Sequence, residues 1–127
     1  MPNQRDRLRV LIVDDEPTIA DTLAQILDAS GFEAKAVYYG EAAVAAAEQF
    51  QPDILLTDVI MRGMSGIDAG VCISKAVPHC RVILFSGQAS TADLLHQAEA
   101  KGYRFEILAK PIHPRELVKV LSSPQNA

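Results

Sequence analysis

Five short apolar runs alternate with helix-like stretches along the chain, and this alternation predicts a parallel β-sheet covered by helices. The predicted strands are Leu8–Val13, Glu33–Val37, Asp53–Thr57, Arg81–Phe85 and Phe105–Ala109. The first, third and fourth runs are almost continuously apolar, which is typical of strands that are buried on both faces. Helices are predicted from Pro17 to just before Gly31, and over residues 41–50, 66–76, 90–101 and 114–123. We therefore predict an α/β fold in which helices cover both faces of a parallel sheet.

The composition fits one domain. The chain has 127 residues, of which 49% are hydrophobic, so a core can form without disulfides or a structural metal. It contains no internal repeat and no linker, and we predict a single domain over residues 1–127, with an ordered core at about 7–122 and a tail at 123–127. Cys72 and Cys80 match no redox or zinc spacing, so we expect both to be small buried side chains.

The charge and the apolar pattern argue against two classes of partner. The chain has 12 basic and 16 acidic residues and a net charge of −4, which does not suit the phosphate backbone of nucleic acids. No run of about 18 apolar residues occurs, so we expect no membrane span and no membrane partner. The N-terminal segment lacks the apolar core of a signal peptide. We therefore expect a cytoplasmic protein that does not bind nucleic acid directly.

Polar side chains follow four of the five predicted strands. They are Asp14 and Asp15 after the first strand, Asp58 after the third, Ser86 after the fourth and Lys110 after the fifth. In open α/β sheets the carboxyl ends of the strands line the ligand-binding edge, so these side chains should lie close together. Each residue alone is explained as a turn, cap or loop residue, but their joint position favours a shared site.

Three carboxylates in one place need a counter-charge, and a hard divalent cation is the natural one. Magnesium binds one or two protein carboxylates, keeps several waters and can also accept phosphate oxygens. Lys110 adds a fixed positive charge and Ser86 adds a hydrogen-bond donor, and both suit a dianionic phosphoryl group. The residues therefore predict a phosphoryl site with magnesium as its cofactor and manganese as the alternative ion.

The same positions carry a family resemblance. In order and spacing, the chain resembles the receiver domains of two-component response regulators, including the single-domain chemotaxis regulator. The matching segments are VLIVDDEP (10–17), DILLTDVIMRGMSG (53–66), VILFSG (82–87) and LAKP (108–111). The resemblance extends from about Leu8 to Leu121. It implies a flavodoxin-like, doubly wound sheet of five parallel strands in the order 2-1-3-4-5, with helices on both faces.

The resemblance implies that Asp58 is the phosphoacceptor and part of a metal site. Asp15 and Asp58 correspond to direct magnesium ligands, and Asp14 corresponds to a residue that reaches the ion partly through water. The backbone carbonyl of Ile60 would complete the protein ligands. Because the ionised carboxylate is the nucleophile, Asp58 requires no raised pKa.

Ser86 and Lys110 correspond to the residues that contact the phosphoryl group, and the resemblance implies a cis bond between Lys110 and Pro111. Three residues before the lysine the family usually has Tyr or Phe, whose ring moves inward on activation, whereas this chain has Ile107. By strand alternation Phe105 points the same way and is the alternative aromatic residue. We therefore predict the Ser86 half of the switch and leave the aromatic half open.

Two positions are expected to control the lifetime of the phosphoryl group. Ile60 lies two residues beyond Asp58, and Gln88 lies two residues beyond Ser86. An apolar Ile60 would shield an acyl phosphate from water, whereas Gln88 would orient a water molecule. The same loop carries Arg62 where the family often has proline, which would fix the backbone φ angle.

The predicted function is that of a response regulator receiver domain in phosphorelay signal transduction. Asp58 would take a phosphoryl group from a sensor histidine kinase or a histidine phosphotransfer protein in a magnesium-dependent reaction. The phosphorylated domain would then signal to a downstream protein target or an output domain through a biased interaction surface. It would not be an enzyme beyond catalysing its own phosphorylation and dephosphorylation. A stand-alone protein and a receiver from a longer regulator or hybrid kinase both fit the sequence.

Three other functions are weighed as alternatives. An interaction module that does not switch is favoured by Ile107 and disfavoured by the complete set of strand-end residues. An aspartyl-phosphate phosphatase needs a second carboxylate two residues beyond the nucleophile, where this chain has Ile60. A flavodoxin-like cofactor binder needs a phosphate-cradling loop after the first strand, where Asp14, Asp15 and Glu16 would repel a phosphate.

Overall fold

The computed structural model describes residues 7–87 and 91–123, and in these ranges five strands alternate with five helices. The strands are β1 (Arg9–Val13), β2 (Glu33–Val37), β3 (Ile54–Asp58), β4 (Arg81–Ser86) and β5 (Glu106–Ala109). The helices are α1 (Pro17–Ala29), α2 (Gly40–Phe50), α3 (Gly66–Ala76), α4 (Thr91–Ala100) and α5 (Pro114–Ser122). All strand pairs are parallel, in the order β2-β1-β3-β4-β5, which confirms the predicted fold and strand order.

Several strand ends differ from the prediction by one residue. Three residues predicted to begin strands lie outside them: Leu8, Asp53 and Phe105. Two residues predicted to follow strands lie inside them: Asp58 and Ser86. The last two differences arise because the parallel ladder continues to the edge of the sheet, where Asp58 is opposite Phe85 and Ser86 is opposite Ala109. Two of the predicted site residues are therefore held within the sheet itself rather than in the loops that follow it.

The sheet is buried on both faces. On one face Leu11 and Leu84 belong to an apolar cluster with residues of α2, α3 and α4. On the other face Ile12 and Ile83 belong to a second cluster with residues of α1 and α5. Because successive side chains of a strand point to opposite faces, both kinds of position must be apolar. This explains the nearly continuous apolar runs of β1, β3 and β4.

The start of α3 lies directly against the end of β3. Ser65 caps the helix, with its Oγ accepting from the Asp68 N–H at 3.1 Å. The Gly66 N–H donates to the Val59 carbonyl at 2.9 Å. A Cβ atom on Gly66 would lie only 1.9 Å from the Asp58 carbonyl oxygen. Glycine is therefore what permits this close approach of two backbones.

Of the two cysteines, Cys80 is buried and Cys72 is half-buried, and both are free thiols. The expectation of buried cysteines thus holds for Cys80 and only in part for Cys72. None of the helices in the described ranges is long and apolar enough to cross a membrane. Gln88 and residues 124–127 of the predicted tail lie outside the described residues.

Candidate functional site

Three carboxylates converge at the carboxyl edge of the sheet. Asp14, Asp15 and Asp58 each place one oxygen within 4.8 Å of the oxygens of the other two. Asp14 is 2% exposed, and its Oδ1 accepts from the Glu16 N–H at 2.9 Å. Asp58 Oδ1 accepts from the Val59 N–H at 2.9 Å. The fold thus brings together the three acidic residues predicted from the strand ends, and these backbone donors orient Asp14 and Asp58.

Lys110 lies between two of these carboxylates. Its Nζ is 3.4 Å from Asp14 Oδ2 and 3.3 Å from Asp58 Oδ2. The same Nζ lies 5.2 Å from the centroid of the Phe85 ring, within the range of a cation–π contact. The lysine therefore supplies positive charge directly beside Asp58, as predicted from its position after β5.

Ser86 and Lys110 are joined through the backbone. The Ser86 carbonyl accepts from the Lys110 N–H at 2.9 Å. The Ser86 side chain is buried at the end of β4. The bond from Lys110 to Pro111 is cis, as the resemblance implied. The residues that carry the Ser86 hydroxyl and the Lys110 ammonium are thus joined by a backbone hydrogen bond at the ends of β4 and β5.

The Asp58 carboxyl group is partly withdrawn from water. Burial raises the pKa of Asp58 above its ordinary value, and the Lys110 ammonium acts in the opposite direction. The neighbouring Asp14 carboxylate raises the Asp58 pKa further. Positive charge beside Asp58 is therefore what favours its ionised form, and Lys110 supplies part of it.

Ile60 and Ile107 are both exposed large apolar residues. Ile60 is 53% exposed in the loop between β3 and α3, where the neighbouring Met61 is buried. Ile107 is 43% exposed on β5. Phe105 instead packs, half-buried, against the apolar cluster on the α2, α3 and α4 side. Gln88 lies outside the described residues, so its predicted position near the site stays a prediction.

One contact at the site was not predicted. The Arg62 backbone N–H donates to Asp15 Oδ2 at 3.1 Å, and the Arg62 Nε lies 3.5 Å from the same oxygen. The available signal was the arginine that replaces the family's proline, since proline has neither an N–H nor a charge. The pairing itself joins residues that are 47 positions apart.

The donor atoms of this edge fit a hard divalent cation. In the part of the chain that the structure describes, the group of acidic, histidine and cysteine side chains close enough to share an ion consists of Asp14, Asp15 and Asp58. All three offer oxygen, which is the ligand that magnesium prefers, and a site of this kind leaves room for waters and phosphate oxygens. The residues present therefore suit a hard divalent cation such as magnesium.

Comparison with known proteins agrees with this geometry. The family model of the response regulator receiver domain matches residues 10–122. The DNA-binding response regulator MtrA of Mycolicibacterium smegmatis is 32% identical over 113 residues, which cover 88% of this chain and 48% of that protein. The chain thus spans about half the length of the curated relatives it matches.

Solved structures show the same architecture. A CheY-like response regulator receiver domain protein from Methanospirillum hungatei superposes with a TM-score of 0.82 at 26% identity, covering 92% of each chain. The CheX–CheY–BeF3–Mg²⁺ complex from Borrelia burgdorferi gives a TM-score of 0.76 at 28% identity, covering 91% of this chain and 87% of that one. The chain therefore belongs to the family of response regulator receiver domains, the phosphorylated signalling domains of two-component systems.

Proposed function

We propose that Asp58 accepts a phosphoryl group from a phosphohistidine donor, and that Lys110 and Ser86 bind the transferred group. One observation carries the proposal: the Lys110 ammonium lies 3.3 Å from Asp58 Oδ2 within a cluster of three carboxylates. A lysine held there neutralises Asp58 before transfer and is in reach of a phosphoryl group after it. A buried Ser86 at the next strand end adds a hydroxyl donor.

In the proposed reaction an oxygen of the ionised Asp58 attacks phosphorus in line. A phosphorus–oxygen bond forms, the bond from phosphorus to the donor's imidazole nitrogen breaks, and that nitrogen keeps the electron pair. Positioning and charge neutralisation dominate such a transfer. The backbone bond from Val59 orients the Asp58 carboxylate, and Lys110 offsets negative charge on the phosphoryl oxygens.

Asp14, Asp15, Asp58 and the backbone carbonyl of Ile60 are the groups that would hold magnesium, with manganese as the alternative ion. Three carboxylates against the Lys110 ammonium and the exposed Arg62 guanidinium leave a net negative charge, which a divalent cation would offset. A bound ion supplies positive charge to the oxygens of the phosphoryl group. The magnesium present in the Borrelia CheY complex supports this choice of ion.

We further propose that Ile60 shields the acyl phosphate from water, because it is a large apolar side chain in the loop that follows Asp58. Ile60→Asn should then shorten the lifetime of the phosphorylated protein several-fold, measured as loss of the phosphoryl mass after acetyl phosphate is removed by desalting into buffer that contains magnesium. An unchanged lifetime in this variant would contradict the shielding. Gln88, proposed to orient a water, is the second position for the same measurement.

Membership of the receiver family supports a proposal for the donor and the output. A sensor histidine kinase or a histidine phosphotransfer protein would supply the phosphoryl group in the cytoplasm, and a downstream protein or an output domain would read the phosphorylated state. MtrA is a DNA-binding response regulator; the receiver residues of this chain carry a net charge of −4, which does not suit direct contact with nucleic acid. A module that does not switch is the second candidate, favoured by the exposed Ile107.

The test is an intact-mass measurement after incubation with acetyl phosphate and magnesium. One phosphoryl group should be added to the wild type and to Asp68→Asn, and none to Asp58→Asn or in the presence of EDTA. Asp68 is the matched control, because it is an exposed aspartate on α3 and loses the same charge. Labelling of Asp58→Asn at the wild-type rate would refute the assignment. Partner binding that ignores phosphorylation would favour the module that does not switch.

A further inference from the structure

Arg62 holds the outer side of the acidic cluster through two different groups. Its backbone N–H donates to Asp15 Oδ2 at 3.1 Å, and its Nε lies 3.5 Å from that same oxygen. A third nitrogen, on the guanidinium, lies 3.5 Å from the Asp15 carbonyl oxygen. A main-chain donor and a cationic side chain of one residue therefore converge on a carboxylate that also belongs to the metal-binding set.

The two Arg62 donors differ in how firmly they are held. The main chain is fixed on both sides, because Met61 is 8% exposed and Gly63 adopts a φ of 76°, which favours glycine. The arginine side chain, by contrast, is 89% exposed. An ion pair that is open to water on one side is weak. The loop thus holds the backbone donor beside Asp15, whereas the exposed guanidinium can leave.

A second carboxylate lies in reach of the departing guanidinium. Glu41, in the first turn of α2, lines a cleft of about 480 Å³ together with Asp15 and Arg62. Its Oε2 lies beside the same loop, 3.2 Å from where a Cβ on Gly63 would stand. Glu41 therefore offers the arginine a second carboxylate at the same cleft.

We propose that Arg62 is an exchangeable counter-ion of Asp15 that competes with the divalent cation for this carboxylate. It weakens metal binding, and it turns outward toward Glu41 when the ion binds. The inference rests on the proposed function, in which Asp15 is a metal ligand, and it adds a control of metal affinity to that site. A proline at this position would remove both the backbone donor and the charge.

The size of the effect follows from Coulomb's law. A guanidinium about 6 Å from a divalent ion, in a medium close to water, lowers the affinity about tenfold, and screening in 0.1 M salt reduces this to about fourfold. In 1 M salt the same interaction lowers the affinity for the ion by less than about twofold. The salt dependence distinguishes a charge effect from a change in the shape of the site.

The experiment is an NMR titration of the protein with magnesium chloride at two ionic strengths. Arg62→Gln should bind magnesium about fourfold more tightly than the wild type in 0.1 M salt, and this advantage should fall in 1 M salt. Arg62→Lys should stay near the wild type because it keeps the charge. Arg104→Gln is the matched control, since Arg104 is exposed and precedes β5, at the opposite edge of the sheet.

A second readout comes from the arginine itself. The Nε–Hε signal of Arg62, assigned by its loss in Arg62→Gln, should shift when the wild type is saturated with magnesium. Equal or weaker magnesium binding by Arg62→Gln, or a signal that does not move, would overturn the proposal. If neither protein binds magnesium, the metal site of the proposed function fails first, and the competition fails with it.

Discussion

Gly66→Ala is expected to damage both the stability of the fold and the phosphoryl site, because Gly66 allows α3 to start against the end of β3. An added Cβ would lie 1.9 Å from the Asp58 carbonyl oxygen and 3.1 Å from Thr57 Oγ1. That hydroxyl already donates to the Asp58 carbonyl at 2.9 Å, and Thr57 is fully buried. The new methyl group would therefore enter a packed junction made largely of backbone.

The distance sets the size of the effect. To bring the Cβ from 1.9 Å to at least 3.0 Å, the two backbones must separate by about 1.1 Å. Overpacking a core costs about 1–3 kcal/mol in the free energy of unfolding. The upper end applies here, because the group that must move is a backbone carbonyl and not a flexible side chain. Alanine regains about 0.4–1 kcal/mol by restricting the unfolded chain. We expect a net loss of about 2–3 kcal/mol in the free energy of unfolding.

The same displacement should slow phosphorylation. A misplacement of about 1 Å at a reacting group costs on the order of 10²-fold in rate, and the atom that must move belongs to Asp58. Urea unfolding gives the stability, and labelling by acetyl phosphate under conditions where the variant is folded gives the rate. Gly87→Ala is the stability control, since its Cβ would meet only Lys110 Cβ at an ordinary 3.7 Å. Wild-type stability and labelling in Gly66→Ala would refute the reasoning.

Two further predictions concern the rest of the fold. Arg81→Ala should lower the free energy of unfolding by about 2–4 kcal/mol in urea titrations but leave phosphorylation intact. The Arg81 guanidinium donates to both oxygens of Glu106 at 2.6 and 2.7 Å, at the edge of the sheet away from Asp58. A loss below about 1 kcal/mol would contradict this prediction. Burial raises the pKa of Cys80 to about 12. In the Cys72→Ser variant, a disulfide reagent at pH 8 should therefore label native Cys80 about 10³-fold more slowly than Cys80 of the unfolded protein. A native rate within about tenfold of the unfolded rate would refute this prediction. The unfolded thiol loses its proton at a lower pH than the native thiol does. The contribution of Cys80 to the free energy of unfolding is therefore complete below about pH 8.5 and is lost as the pH rises toward 12.

The site could be predicted as far as it depends on local pattern. Asp14, Asp15, Asp58 and Lys110 were placed at one edge by a rule that needs only the strand boundaries and their parallel pairing. One-residue errors in those boundaries did not matter, because a strand end and the residue after it both lie at that edge. The strand order came from the family resemblance, since periodicity alone does not order parallel strands.

The contacts that depend on distant segments could not be predicted in the same way. The Arg62 contact with Asp15 requires the loop after β3 to lie against the loop after β1. The hydrophobic periodicity of the sequence does not predict contacts between loops. The close approach of Gly66 to the Asp58 carbonyl likewise arises from the packing of α3 on the sheet. Loop-to-loop contacts of this kind tune the site, whereas strand ends place it.

The register of β5 bears on the aromatic half of the switch. Phe105 precedes the strand, and its ring lies 6.0 Å from the ring of Tyr103, in the apolar cluster beneath α3 and α4. Moving Phe105 into the place of Ile107 would slide β5 by two residues and break its four ladder pairs with β4. The Phe105 ring therefore belongs to this apolar cluster and does not occupy the position of Ile107 on β5. A phosphorylation-dependent change at this face of the domain would therefore involve the exposed aliphatic side chain of Ile107 rather than an aromatic ring.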